Sequence, residues 1–387
     1  MVRVGMAMDS FLGLQSPAEP AGGGSFPRNV NRTMLAPYRL ETVYLPAHLD
    51  AALDRTQTAP LPTYEPLPLS PVDSWERFAG LRNRVAGRLE ALATVSRRMT
   101  ERITPEDGLN ALHNHKEREP DLLLEQYRIY DEFFGVRRAG RLSAEELECQ
   151  FARTIAALLS DLPQTNLARD TLDHLLAGIE FALDRFAPLP ETALESSAWE
   201  LAEALEVVRF RWNTGHHLFA LMNHLAGDAF ARAAHFIEEP ARCAGEIRRS
   251  EVFLRASSAA MEYTVNFPSR YYREVIRPEM DASPIPGGFS GTQNADYNHM
   301  KVLKGKLQAM LVLRYTRFTE RWPEEILSAV KSYRAADLLD LDVHIRVAAF
   351  SVGLGPSLKQ RKAQEAGVNA LEALRRMMTQ RLHDFGL

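Results

Sequence analysis

Three groups that can do chemistry stand in order between Tyr271 and His344: a guanidinium, a glycine-rich loop, and an imidazole in an apolar run. Arg277 closes Tyr-Tyr-Arg-Glu-Val-Ile-Arg (271–277), five residues after Tyr272. A planar guanidinium is suited to holding a carboxylate through two parallel hydrogen bonds. The alternative is a surface arginine whose helix is ended by Pro278. Next comes Pro-Ile-Pro-Gly-Gly-Phe-Ser-Gly-Thr-Gln-Asn (284–294), with Gly287, Gly288 and Gly291 inside five residues. Backbone with no Cβ can approach another group closely and aim N–H groups at an anion, although an ordinary inter-helix loop has the same composition. It has neither the G-x-x-x-x-G-K-[ST] nor the G-x-G-x-x-G pattern, which disfavours a nucleotide phosphate and leaves a carboxylate from a substrate or a cofactor side arm.

His344 lies in Leu-Leu-Asp-Leu-Asp-Val-His-Ile-Arg-Val-Ala-Ala-Phe-Ser-Val (338–352), where apolar residues recur at helical spacing. Ala348 and Ser351 share its face, so small residues leave room for a large flat ligand to reach the ring nitrogen. Imidazole is a common axial ligand of haem iron. A satisfied core histidine is the structural alternative.

Taken together, aromatic-x4-Arg-Pro, a Gly-Gly-x-Ser-type loop and a histidine in an apolar helix resemble the tryptophan dioxygenase superfamily. Within it, the indoleamine 2,3-dioxygenases and the PrnB-type enzymes are the nearest. The resemblance implies an all-α haem enzyme with a b-type haem whose iron is ligated by His344. It implies that Arg277 clamps the carboxylate of a tryptophan-like substrate, and that Tyr272 lines the substrate pocket. Gly288, Phe289, Ser290 and Gln293 would lie against the cofactor, with Ser290, Gly291 and Thr292 also near the substrate. His216 and His217 would face the substrate or bound O2 as catalytic groups. The loop is Gly-Gly-Phe-Ser-Gly here, where the family has Gly-Gly-Ser-Ala-Gly. The implied reaction is haem-dependent oxygenation of a tryptophan-like amino acid. A PrnB-like rearrangement or mono-oxygenation is the alternative, and a cofactor-free helical scaffold is the alternative of another class.

These groups need a scaffold to hold them, and the sequence points to helices. The pattern Trp75, Phe78, Leu81, Val85, Leu89, Leu92, Val95 predicts a long amphipathic helix from Asp73. Further helices are expected at 119–135, from a capping box at Ser143-x-x-Glu146, and at 165–186, 195–211, 216–237 and 246–265. Val43-Tyr44-Leu45 is the one short extended run in a Pro-rich wrap over 31–72, and no strand alternation or repeat is found. The expected organisation is a mobile tail at 1–30, an irregular segment with a small helical domain at 31–190, and a large helical haem-binding domain at 191–387. The basic amphipathic run 356–385 closes the bundle.

His217 and His224 are two turns apart, but no H-E-x-x-H or paired Glu-x-x-His accompanies them, which argues against a zinc or di-iron site.

With 387 residues, 45% hydrophobic, the chain can bury a large core. A net charge of −4 offers no footprint for nucleic acid. Two cysteines, Cys149 and Cys243, make neither a disulfide framework nor a C-x-x-C-H haem attachment. No apolar run reaches membrane-spanning length, so a cytoplasmic enzyme, monomeric or homodimeric, is expected.

Overall fold

The computed structural model describes residues 43–46, 74–92, 120–139, 142–183, 204–281, 293–317, 322–352 and parts of 372–379. The fold is all-α, and two short strands are its only β structure among the described residues. In order they are β1 (Val43–Pro46), α1 (Ser74–Ala91), α2 (Pro120–Phe133), β2 (Val136–Ala139), α3 (Ala144–Asp161), α4 (Arg169–Leu183), α5 (Ala204–His235), α6 (Pro240–Thr264), α7 (Ser269–Tyr271), a π-helical segment (Tyr272–Ile276), α8 (Arg277–Asp281), α9 (Ala295–Arg317) and α10 (Glu324–Val352). Most of the tail, the wrap and the basic C-terminal run lie outside the described residues, as do loop positions 288–292.

The capping box forms as its pattern requires. Glu146 N–H donates to Ser143 Oγ at 3.1 Å, and Ser143 N–H donates to the Glu146 carboxylate at 2.6 Å, which opens α3. The extended run Val43-Tyr44-Leu45 is β1, and it pairs in parallel with β2 in the register Val43↔Val136. Nothing in the local sequence signals β2. It follows Gly135, whose φ of 67° ends α2 and turns the chain away.

Two expected breaks are absent. The helices expected at 195–211 and 216–237 are one 32-residue helix, α5, running straight through Gly215. Gly215 marks a close approach instead of a stop, because a Cβ there would run into Thr264 and the Ala260 carbonyl of α6. Gly178 of α4 meets Ala256 of α6 in the same way. Pro278, expected to end its helix, sits inside one. Proline has no N–H to give the carbonyl four residues back. The preceding turn has widened so that Arg277 N–H reaches Tyr272 O, a five-residue spacing, and the helix continues to Asp281.

α6 is the central element, packed by α4, α5 and α10, with α9 laid on α5. One apolar core runs continuously from Leu45 of β1 through Phe151, Phe230, Phe253 and Tyr263 to Ala336 of α10. No described helix is long and apolar enough to cross a membrane.

Beside this core lies a buried charge network. Arg138 of β2 donates to both oxygens of Asp131, at 2.7 and 3.0 Å, and to Asp296 of α9 at 3.0 Å. Asp296 also faces His224 Nδ1 at 3.3 Å. Burial alone would push the Asp296 carboxyl up, but Arg138 and His224 outweigh it and hold the carboxyl at about 2. Removing the guanidinium would leave two carboxylates buried without their cation. Arg138→Ala should therefore cost about 3–5 kcal/mol in urea unfolding. A loss below about 1 kcal/mol, the worth of an exposed pair, would show that the network is not dry.

Candidate functional site

Each chemical group singled out in the sequence is held by a particular contact. Tyr272 is buried at the start of the π segment, its ring centroid 5.7 Å from that of Trp212 on α5. Arg277 is half-buried at the first position of α8. Two residues further on, Glu279 accepts from Arg209 of α5 at 2.5 Å, which ties this helix to α5.

Of the loop, Gln293 is described and is buried, while Gly288, Phe289, Ser290, Gly291 and Thr292 lie outside the described residues. The loop's exit is pinned, because Asn294 Oδ1 accepts from Tyr297 N–H at 2.8 Å and caps α9.

His344 is held at one nitrogen. Its Nδ1–H donates to the Asp340 carbonyl at 2.8 Å and faces the Asp340 carboxylate at 3.4 Å. Ser258 of α6 donates to that carboxylate at 3.1 Å, so α6 fixes the orientation of the pair. Nε2 is the nitrogen left for a ligand. Burial would push the imidazole down, but Asp340 outweighs it and raises it to about 9.

The His344 side chain keeps 29% of its surface accessible, and residues 344–350 are all half-buried, Val347, Ala348 and Phe350 among them. An anchored Nδ1 on a partly accessible imidazole, with a half-buried apolar face beside it, is what a haem ligand needs. These residues fit a haem.

Neither cysteine can reach that position from where it sits. Cys149 is packed with Leu92, Ala139 and Leu142, and Cys243 is wholly buried fifteen residues before Ser258 on the same helix. That is roughly 22 Å of helix rise from the Asp340 contact.

His216 and His217 are buried and neutral. His216 Nδ1–H donates to the Trp212 carbonyl at 2.6 Å, and its ring stacks on Phe134 with centroids 3.9 Å apart. His217 Nε2–H donates to the Phe134 carbonyl at 2.5 Å. Burial pushes them down to about 3 and about 4 respectively, and it pushes His299, close to His224, to about 4.

Sequence reading missed Asp340 and Trp212, although both have the same visible signal: each stands four residues before a histidine and on its face. It also missed the Arg138 network. That network joins residues 158 apart and has no local signature.

Comparison with known proteins then decides the class. A family model described as SfmD 3-methyl-L-tyrosine peroxygenase matches residues 47–325. The chain belongs to that family. It is an oxidoreductase, and its cofactor is haem. The placement nearest the indoleamine 2,3-dioxygenases gives way to the SfmD family, while the expected cofactor and reaction class stand. The match spans Trp212, His216, Tyr272, Arg277 and the loop, and it ends before His344. A crystal structure of reduced SfmD, prepared by soaking with sodium hydrosulfite, is 16% identical and superposes with a TM-score of 0.41 over 74% of this chain and 93% of that one. No curated protein matches the chain.

Two expectations follow from this geometry. In the unfolded chain His216, His217 and His299 take up protons as pH falls through their ordinary value of 6.5, whereas the folded chain refuses them until about 3 to 4. The stability these three rings contribute is thus full above pH 6.5 and declines below it, by up to about 1.4 kcal/mol per pH unit for each group. Urea midpoints at pH 7.5, 6 and 5 should fall in that order, and a flat profile would mean that these rings are already wet. Because both cysteines are packed away from His344, acidified butanone should extract the haem from the purified protein. Haem left on the chain would place a sulfur at the macrocycle.

Proposed function

We propose that this protein is a haem-dependent peroxygenase that inserts one oxygen atom into the ring of an aromatic L-amino acid of the tyrosine type. Its family's description names 3-methyl-L-tyrosine and a peroxygenase reaction, which supports this choice over a tryptophan-like substrate and over O2 as oxidant. Written in balance, an aromatic C–H and a peroxide give a ring hydroxyl and water. The single observation that supports His344 as the iron ligand is its Nδ1 held by the Asp340 carbonyl on a side chain that keeps 29% of its surface accessible.

In this reading the chain's own groups divide the work. His344 binds iron through Nε2, while the Asp340 carbonyl and carboxylate hold the other nitrogen's proton and raise the basicity of the ring. Haem held there would supply the redox chemistry that oxygen transfer from a peroxide requires. Arg277 pairs with the carboxylate of the amino acid, and Tyr272 packs against its ring. Gln293, buried at the described end of the loop, lies on the cofactor side. His216 and His217 stay neutral and line the substrate side, where a neutral imidazole can take or give a hydrogen bond without bringing a charge into the pocket. Orientation and exclusion of water are what the protein adds.

His344→Ala should lose the absorbance band near 400 nm while keeping its helical content, and unchanged haem in that variant would reject the ligand assignment. Asp340→Asn should keep haem with about 10- to 100-fold weaker affinity. Arg277→Ala should also keep haem but bind 3-methyl-L-tyrosine about 10- to 100-fold more weakly, the worth of a charge-assisted pair in a dry site. Titration with L-tryptophan alongside separates the two substrate classes, and turnover with hydrogen peroxide against O2 plus reductant separates the oxidants.

A further inference from the structure

Trp212 is 6% exposed, and its indole nitrogen is buried without a hydrogen-bond acceptor among the described residues. An indole N–H can only donate, and a buried donor left unmade is a cost that structures seldom keep without a reason. This one is not slack in a loose region. The neighbouring residue, Arg211, donates to both oxygens of buried Asp161 at 2.7 and 3.1 Å and to the Asn266 carbonyl at 2.5 Å. Tyr263 OH donates to the same Asp161 at 3.0 Å. The turn of α5 that carries Trp212 is therefore fastened to α3 and to Asn266, just past the end of α6.

What surrounds the indole points to a ligand. Its ring centroid is 4.5 Å from that of His216 and 5.7 Å from that of Tyr272, the residue that opens the π segment leading to Arg277. π-helical turns are frequent at functional sites. His216 gives its Nδ1 proton to the Trp212 carbonyl, so the lone pair of the neutral ring is on Nε2. Burial keeps the ring neutral. Two adjacent rings thus offer one donor and one acceptor beside Tyr272, which opens the π segment that ends at Arg277.

We propose that Trp212 is a specificity-determining residue that acts together with His216. The phenol oxygen of the substrate accepts from Trp212 Nε1–H, and the phenol proton is donated to His216 Nε2. A hydroxyl is the group that answers both. A phenyl ring answers neither, an aryl methyl ether can accept but not donate, and an indole can donate but leaves Trp212 unmet. The inference rests on the aromatic amino-acid reading above and adds to it the residue that recognises the ring hydroxyl.

The test is calorimetric titration of the haem-loaded protein with 3-methyl-L-tyrosine and with 3-methyl-L-phenylalanine, which lacks only the hydroxyl. The wild-type protein should bind the phenol at least about tenfold more tightly, as sites built to pair a hydroxyl do. Trp212→Phe, with haem absorbance and helical content unchanged, should bring the two affinities within about threefold. A variant that keeps the full preference, or a wild-type protein that shows none, overturns the assignment while leaving the haem site intact. Binding of neither ligand to haem-loaded protein would sink the amino-acid reading, and this inference with it.

Should Trp212→Phe fail to fold, ultraviolet resonance Raman of the wild-type protein replaces it. The indole N–H band should shift on adding the phenol and not on adding the phenylalanine analogue. An unshifted band with the phenol bound overturns the proposal.

Discussion

The close contact of α5 with α6 is the constraint on which the arrangement of the site depends. At Gly215 the absence of a Cβ lets the Thr264 side chain and the Ala260 carbonyl press against the α5 backbone. Further along, Asn223 donates to Ser257 at 2.8 Å, and Gly178 brings α4 against Ala256 on another side of α6. Helices this close share a rigid interface, since side chains at such contacts have no room to change rotamer. One partner carries Trp212 and His216. The other carries Ser258, which aims Asp340 and through it His344. The spacing between these two groups of residues is thus set by the contact of α5 with α6.

Around that interface several charges of the described residues are paired across elements. Arg211 with Asp161, Arg138 with Asp131 and Asp296, and Lys304 with Asp337 at 2.7 Å each tie one element to another. Such pairs add little stability over an apolar replacement, but breaking one is expensive, so they select one packing over its neighbours. Glu262 does the same job across α6, taking Thr171 of α4 and Arg346 of α10 on its two oxygens. Arg346 is two residues beyond His344. The helix that presents the imidazole is therefore clamped on both sides of it, by Asp340 to Ser258 and by Arg346 to Glu262.

The two kinds of histidine in the molecule show how one side chain takes opposite roles. His344 has a carboxylate beside it and an accessible flank, and its basicity rises. His216 and His217 are given only backbone carbonyls, inside an aromatic shell of Tyr130, Phe134 and Trp212, and their basicity falls. A neighbouring carboxylate keeps a proton on one ring, and burial without one keeps it off the others.

Much of this was legible in the residues themselves. Helical periodicity, the Ser143 capping box, the short run Val43-Tyr44-Leu45 and the order of arginine, glycine loop and histidine are local patterns, and local patterns survive without a fold. The periodicity was enough for an all-α fold, and the resemblance that the ordered motifs carry pointed to a haem enzyme acting on an amino acid. The continuity of α5 through Gly215 and the widened turn before Pro278 were not legible, because each depends on what lies across from it. A glycine that would end a helix in isolation continues one where a neighbour needs the space, and a proline is tolerated where the turn before it can add a residue. Pairings over long separations, such as Arg138 with Asp296, leave no trace in spacing. Composition and periodicity determined which groups this chain possesses; only the packing of α5, α6 and α10 decided which nitrogen of each ring is tied down and which is left to meet a ligand, because a hydrogen bond is settled by distance in space and not by distance along the chain.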